Sequence, residues 1–71
     1  MNQIAQQISE ILLRRKEVER LTALSRATIY RLIKAGKFPL PVEIGTGSVR
    51  WRQTDVLAWQ ASLPTSQMRR R

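Results

Sequence analysis

The stretch Leu21-Thr-Ala-Leu-Ser-Arg-Ala-Thr-Ile-Tyr-Arg-Leu-Ile-Lys-Ala-Gly36 decides the fold, because it predicts a tight turn followed by a short capped helix. Ser25 is a good N-cap, since its side-chain oxygen can accept a hydrogen bond from the first-turn amides. Gly36 stands where helices often end in the left-handed conformation. The apolar residues between them recur at i, i+3 and i+4, as Ile29, Leu32 and Ile33. This spacing predicts a helix with one apolar stripe.

The opposite face of this helix is polar and basic. At about 100° per residue, Ala27, Arg31 and Lys34 lie opposite the apolar stripe, and Thr28 and Tyr30 flank it. A helix that buries Ile and Leu while showing cations and a small Ala can lie close against a polyanion. This is what a DNA recognition helix requires.

Composition supports a small basic binding domain. The chain has 71 residues, with 13 Lys and Arg against 5 Asp and Glu, a net charge of +8. Ten of the cations are Arg, which suits phosphate and guanine recognition. Without Cys or His, the chain lacks thiolate zinc ligands and the commonest general base. Its helical carboxylates Glu17 and Glu19 point nearly 200° apart, by the roughly 100° step per residue. These features predict that the protein is not an enzyme and holds no cofactor or metal.

Two further elements precede the quoted stretch. Residues 15–22 predict a first helix with Val18 and Leu21 on its buried side, continued by Leu24, before a turn over residues 23–25. The run Ile11-Leu12-Leu13 fits either a small strand or an apolar contact onto the next helix.

A β-hairpin follows Gly36. Pro39 and Pro41 break the helix, and Phe38 is expected to plug the bend. Val42-Glu43-Ile44 and Val49-Arg50-Trp51-Arg52 both alternate around the loop Gly45–Ser48. A four-residue loop predicts that Ile44 faces Val49, Glu43 faces Arg50 and Val42 faces Trp51. One face of the hairpin would then be wholly apolar, and the other would carry Glu43, Arg50 and Arg52.

A last helix ends the folded part. Thr54 can cap it, Asp55 favours its first turn, and Pro64 stops it. Its apolar residues are Val56, Trp59 and Leu63, and both tryptophans, at 51 and 59, are expected in the core. The order of elements predicts a mainly α fold with a small β-hairpin, a winged helix-turn-helix. Its parts are an N-terminal extension (1–11), the DNA-binding domain (12–63) and a basic tail (64–71).

The chain also resembles a known family. The similar segments, in order, are residues 12–18, 24–31, 36–42, 49–51 and 56–59. Together they resemble the AlpA family of phage-type regulators, which belongs to the MerR-like winged helices that include phage excisionases. The resemblance covers residues 12–63. It implies a DNA-binding transcriptional regulator or excisionase (a recombination directionality factor) of a prophage or mobile element, acting in the bacterial cytoplasm at the nucleoid.

In this family the second helix enters the major groove and the wing contacts the backbone or minor groove. The resemblance places the recognition helix at residues 25–35 and the wing at 42–52. We expect the DNA-contacting residues to be Ser25, Arg26, Ala27, Thr28, Tyr30, Arg31, Lys34, Thr46, Ser48, Arg50 and Arg52. Arg31 is the leading candidate for reading a guanine edge. Tyr30 has two readings, a hydroxyl given to a phosphate or a ring packed on the wing.

Other classes of function fit less well. An RNA-binding module is the main alternative, but the chain lacks the exposed aromatic pair that single-strand binders use. No apolar run approaches the roughly 20 residues of a membrane span, and Met1–Ile11 does not look like a signal peptide. The sequence leaves open activation, repression or excision, and also partnership with an integrase or RNA polymerase.

The two ends of the chain bear on self-association. Larger MerR-like regulators dimerise through a long C-terminal coiled coil, whereas here eight residues follow Leu63. We therefore expect a monomer that loads cooperatively on directly repeated DNA sites. The isoleucines at 4, 8 and 11 would form an apolar edge for these contacts, and Arg69–Arg71 would form a phosphate-binding arm.

Overall fold

A computed structural model describes residues 11–67 of the chain. The elements follow in the order β1 (Leu12–Leu13), α1 (Arg15–Thr22), α2 (Arg26–Lys34), β2 (Val42–Gly45), β3 (Ser48–Arg52) and α3 (Gln53–Ala61). They form a winged helix-turn-helix, with three helices beside one small sheet. None of the helices in this range is long and apolar enough to cross a membrane. The predictions about Ile4, Ile8 and Arg69–Arg71 fall outside the described residues.

The first helix of the helix-turn-helix, α1, has the bounds that the sequence predicts. Thr22 ends α1 by donating its hydroxyl to the Val18 carbonyl at 2.7 Å, and it accepts the Leu24 amide at 3.3 Å. Ala23 then takes a left-handed conformation, with φ 61°. Ser25 caps α2 by accepting the Thr28 amide at 3.2 Å, as predicted. The turn is therefore held by two hydroxyl side chains and one unusual backbone angle.

The sheet has three antiparallel strands in the order β1-β3-β2. Of the two interpretations of Ile11–Leu13, the strand is confirmed. Leu12 pairs with Arg52 and Leu13 pairs with Trp51. β3 is thus the central strand, and β1 adds a third strand to the predicted hairpin.

None of the three predicted hairpin pairs forms. Gly45 pairs with Ser48, so the loop has two residues, Thr46 and Gly47, and the φ of 75° at Gly47 permits this tight turn. A β-bulge between Glu43 and Gly45 then shifts the pairing by one residue. Further along the strands, Glu43 pairs with Val49 and Val42 with Arg50.

The bulge also corrects the prediction of one wholly apolar hairpin face. Ile44, the extra residue in β2, is 49% exposed. Trp51, in contrast, is fully buried and Val49 packs against the core. The alternation of apolar and polar residues therefore predicts burial in β3 and fails in β2, where the bulge interrupts the period of two.

The core is small and draws on every element except β2. Its buried side chains are Leu13, Val18, Ile29, Phe38, Trp51 and Val56. Partly buried side chains surround them, namely Leu24, Leu32, Ile33, Val49 and Trp59. This confirms the apolar stripe of α2. Phe38 fills the bend as predicted, with its ring centroid 4.7 Å from that of Trp59.

Two leucines predicted on buried faces are exposed instead. Leu21 is 39% exposed, because α1 ends after one more residue and Leu24, beyond the turn, packs against the core in its place. Leu63 is 52% exposed, because α3 already ends at Ala61 and Leu63 is no longer on the helix. In both cases the helix is shorter than its apolar pattern.

The predicted cap of α3 is also wrong. The helix begins at Gln53, directly after β3, so Arg52 occupies the N-cap position and Thr54 lies inside the first turn. The Gln53 amide donates to the Ile11 carbonyl at 2.8 Å. Because the Ile11 carbonyl, just before β1, satisfies this first-turn donor, a side-chain cap at Thr54 is not needed.

The left-handed angle at Ala23 predicts a stabilising substitution. Left-handed backbone costs an L-residue about 1–2 kcal/mol, which exceeds the entropic cost of Gly. We therefore expect Ala23→Gly to raise the free energy of unfolding by roughly 0.5–1 kcal/mol in urea denaturation.

Gly36→Ala is the matched opposite change. Gly36 has φ 74°, and a Cβ there would meet no atom within 4 Å, so the substitution loses stability only through the strained backbone angle. We expect it to destabilise by about 1 kcal/mol. A loss of stability in Ala23→Gly would contradict the turn geometry described above.

Candidate nucleic-acid interface

The outer face of α2 is exposed as the sequence predicts. Arg26, Ala27, Arg31 and Lys34 all lie in solvent. Thr28 is half-buried; its amide donates to Ser25 Oγ at 3.2 Å, and the Ser25 hydroxyl donates to Thr28 Oγ1 at 3.0 Å. The cap therefore holds two of the predicted contact residues in fixed positions.

Tyr30 joins α2 to the wing. Its ring lies edge-on to Trp51 of β3, with centroids 6.5 Å apart. The guanidinium of Arg26 sits 5.8 Å from the same ring centroid, a cation–π distance. The ring thus contacts the central strand, as one of the two interpretations of Tyr30 expected, while 41% of the residue remains exposed. A hydroxyl contact to a phosphate stays a prediction.

The predicted wing residues are spread along the hairpin. Thr46 lies exposed at the tip, and Ser48 and Arg50 are half-buried in β3. Arg50 donates from Nη1 to the Val49 carbonyl at 2.8 Å, which holds its guanidinium close to the strand. Arg52 is at the other end of β3, beside β1 and the start of α3, away from the tip.

A cleft of about 450 Å³ brings part of the predicted site together. Tyr30 from α2 and residues 47–50 from the wing line it. The other lining residues are Arg14, Arg15 and Lys16, at the start of α1. Because Leu13 pairs with Trp51, the chain enters α1 beside Arg50, the residue before Trp51.

Sequence reasoning missed these three cations as site residues. The signal was present, since three consecutive cations begin a helix at the end where the macrodipole favours anions. Their position next to the wing, however, follows from the pairing of β1 with β3, which sequence reasoning left undecided.

The cleft is strongly cationic. Four of its lining side chains are Arg or Lys and none is a carboxylate. Arg15 forms a salt bridge with Glu19 at 3.0 Å, while Arg14, Lys16 and Arg50 form none within residues 11–67. Over the same residues, no group of three or more His, Cys, Asp or Glu could hold a metal ion. The arrangement offers positive charge and N–H donors, which suits binding phosphate oxygens.

These elements define a class, the winged helix-turn-helix proteins, here with a basic outer face on the second helix. Comparison with known families gives the particular one. The model of the prophage CP4-57 regulatory protein (AlpA) family matches residues 11–64. The chain belongs to this family of phage regulatory proteins, which confirms the resemblance seen over residues 12–63.

A phage protein is similar over the same region. The chain is 48% identical over 52 residues to a protein of Enterobacteria phage P4 described as uncharacterized protein ORF88. The alignment covers 73% of this chain and 59% of the phage protein, so the chain spans less than two thirds of its relative. No solved structure is significantly similar to the chain.

Proposed function

We propose that the protein is a sequence-specific double-stranded DNA-binding regulator of a prophage or mobile element. In this proposal α2, with its flanking residues over 25–35, enters the major groove, and the wing over 42–52 follows the backbone or minor groove. One observation carries the proposal: α2 exposes a basic face, and Tyr30 on its flank lines a cationic cleft together with residues 47–50 of the wing.

We assign the residues of α2 to base or phosphate contacts by the length of the side chain and its position on the helix. Arg31 is exposed near the middle of the outer face and can donate two hydrogen bonds to a guanine. Ala27 has little bulk, so the helix axis can approach the bases closely. Arg26 and Lys34 lie towards the two helix ends, where we assign them to backbone phosphates. Ser25 and Thr28 supply hydroxyls at the helix start.

The wing residues are assigned to the backbone. Thr46 at the tip and Ser48 beside it can donate hydroxyls to phosphate oxygens, and Arg50 adds charge. Arg52, at the far end of β3, is assigned to a flanking phosphate. None of these wing contacts is expected to read a base in the major groove.

The aromatic residues argue against the RNA-binding alternative. Sequence-specific RNA modules stack unpaired bases on exposed rings. Within residues 11–67, Trp51 and Phe38 are buried, and Trp59 packs against Phe38 and donates its indole N–H to the Lys37 carbonyl. Tyr30 alone among these rings is largely exposed, so no stacking pair is available.

The regulatory outcome is either transcriptional control or excision, and the two imply different partners. A transcriptional regulator would work with RNA polymerase, and an excisionase would work with an integrase at an attachment site. For both we propose a cytoplasmic protein bound to the nucleoid, monomeric when free and self-associating on DNA. An excision assay beside a promoter-fusion assay separates the two roles.

Selection from a random duplex library tests DNA recognition directly. We expect one enriched motif, bound more tightly than scrambled duplex and than RNA of the same sequence. Footprinting on the enriched duplex should then cover adjacent direct repeats if the protein self-associates on DNA. Equal binding to all duplexes, or preference for the RNA, would contradict the proposal.

Arg31→Ala should weaken binding to the selected duplex by about 1–3 kcal/mol, if the guanidinium reads a base. Affinity for scrambled duplex should change much less, since phosphate contacts dominate there. Arg20→Ala is the matched control, because Arg20 is an exposed cation at the far end of α1. An equal loss on every duplex would make Arg31 a phosphate contact instead.

Arg50→Ala should weaken binding to selected and scrambled duplexes alike. We expect the slope of log affinity against log salt to fall by about 0.9, the loss of one phosphate contact. The guanidinium donates to the carbonyl of the adjacent residue, Val49, and joins no other element by a salt bridge within residues 11–67, so thermal melting should change little. An unchanged salt slope would remove Arg50 from the interface.

A further inference from the structure

We propose that α1 provides a third DNA contact, in which Arg14 and Lys16 act with Arg50 and Ser48 to hold one backbone phosphate in the cleft between α1 and the wing. The inference rests on the proposed function and deepens it, because α1 is outside the recognition helix and wing assigned above. Its ligand is a phosphodiester of duplex DNA.

Charge is the first argument. The cleft collects cations from two separate parts of the fold, the start of α1 and strand β3, and no carboxylate lines it. Arg15 is already paired with Glu19. Arg14 and Lys16 are exposed and form no salt bridge within the part of the chain that the structure describes. Their charges therefore remain available to a ligand.

The local helix energetics give the second argument. Cations at a helix N-terminus oppose the macrodipole, so Arg14 and Lys16 work against α1. The first-turn acid, Glu17, accepts the Arg14 amide at 2.7 Å and so stabilises the helix start. The cations add no such stabilisation. A bound phosphate would remove the conflict, because its negative charge suits both the side chains and the helix end.

The lining of the cleft favours a polymer backbone over a small molecule. Pockets of this size that bind small ligands are lined mainly by apolar and aromatic side chains. Here Tyr30 and Val49 are the large apolar contributors, and cations dominate the rest. A cleft that is open and cationic can accept one phosphate of a strand that continues on both sides.

The contact would also fix how α2 is presented. Phosphate contacts set the register and orientation of a DNA-binding protein on the duplex. Arg50 of the wing, Lys16 of α1 and Tyr30 of α2 all line the cleft. A strand held there would fix α2 relative to the groove.

The test compares Arg14→Gln and Lys16→Gln with Arg20→Gln, which removes an exposed cation from the other end of the same helix. Affinity for a mixed-sequence DNA duplex is measured over a range of salt concentrations. We expect each of the first two variants to lower the log–log salt slope, by less than the roughly 0.9 of a whole phosphate contact because the cations share one phosphate, and the control to leave it unchanged.

Thermal melting separates this role from a structural one. Because Arg14 and Lys16 oppose the helix dipole, their replacement should leave the melting temperature unchanged or raise it by a few degrees. Weaker DNA binding by an equally or more stable protein supports the proposal. If affinity falls only in step with a lower melting temperature, the proposal is wrong.

Phosphate neutralisation locates the contact. Single methylphosphonates are placed along the selected duplex, and each is measured with the wild type and with Lys16→Gln. We expect at least one position where the neutral linkage weakens the wild type more than the variant, because the variant has already lost one of the cations on that phosphate. Equal losses in both proteins at all positions would overturn the assignment.

The two levels of the proposal fail in different ways. If the wild type binds no DNA duplex, or binds duplex RNA more tightly, both the function and the α1 contact are wrong. If the wild type binds duplex DNA but Arg14→Gln and Lys16→Gln keep the salt slope of Arg20→Gln, only the α1 contact is wrong.

Discussion

The buried indole of Trp51 is the contact on which the remaining architecture depends. It lies in the central strand, fully inaccessible, opposite Leu13 of β1. Its N–H donates to the Pro39 carbonyl at 3.0 Å, which satisfies a polar group that would otherwise be costly to bury. Its ring also contacts Tyr30 of α2. One side chain thus connects the sheet, the bend after α2 and α2 itself.

Elements determined by local chemistry were predictable from the sequence. The bounds of α1, the Ser25 cap of α2 and the left-handed Gly36 follow from propensities and spacing within a few residues. The start of α3 could not be predicted in this way, because its first amide donates to the carbonyl of Ile11, which is distant in sequence. The hairpin register failed for a related reason, since the bulge at Ile44 leaves no periodic signal in so short a strand.

In the candidate site too, the locally determined part could be predicted from the sequence and the part that depends on distant pairing could not. A helical wheel suffices to place Ala27, Arg31 and Lys34 on an exposed face, because the apolar stripe of α2 faces the core. The cleft beside Arg50 depends on a two-residue strand that carries too little pattern to be assigned. Because that strand leads straight into α1, its pairing with β3 brings Lys16 near the wing.

The two faces of α2 share no residue, and this separation has an evolutionary consequence. Ile29, Leu32 and Ile33 hold the helix in place from inside, and Ala27 and Arg31 lie wholly outside. Under the proposed function, a few codon changes on the outer face can therefore redirect such a regulator to another operator without repacking its core. One scaffold could then serve regulators of different DNA sites.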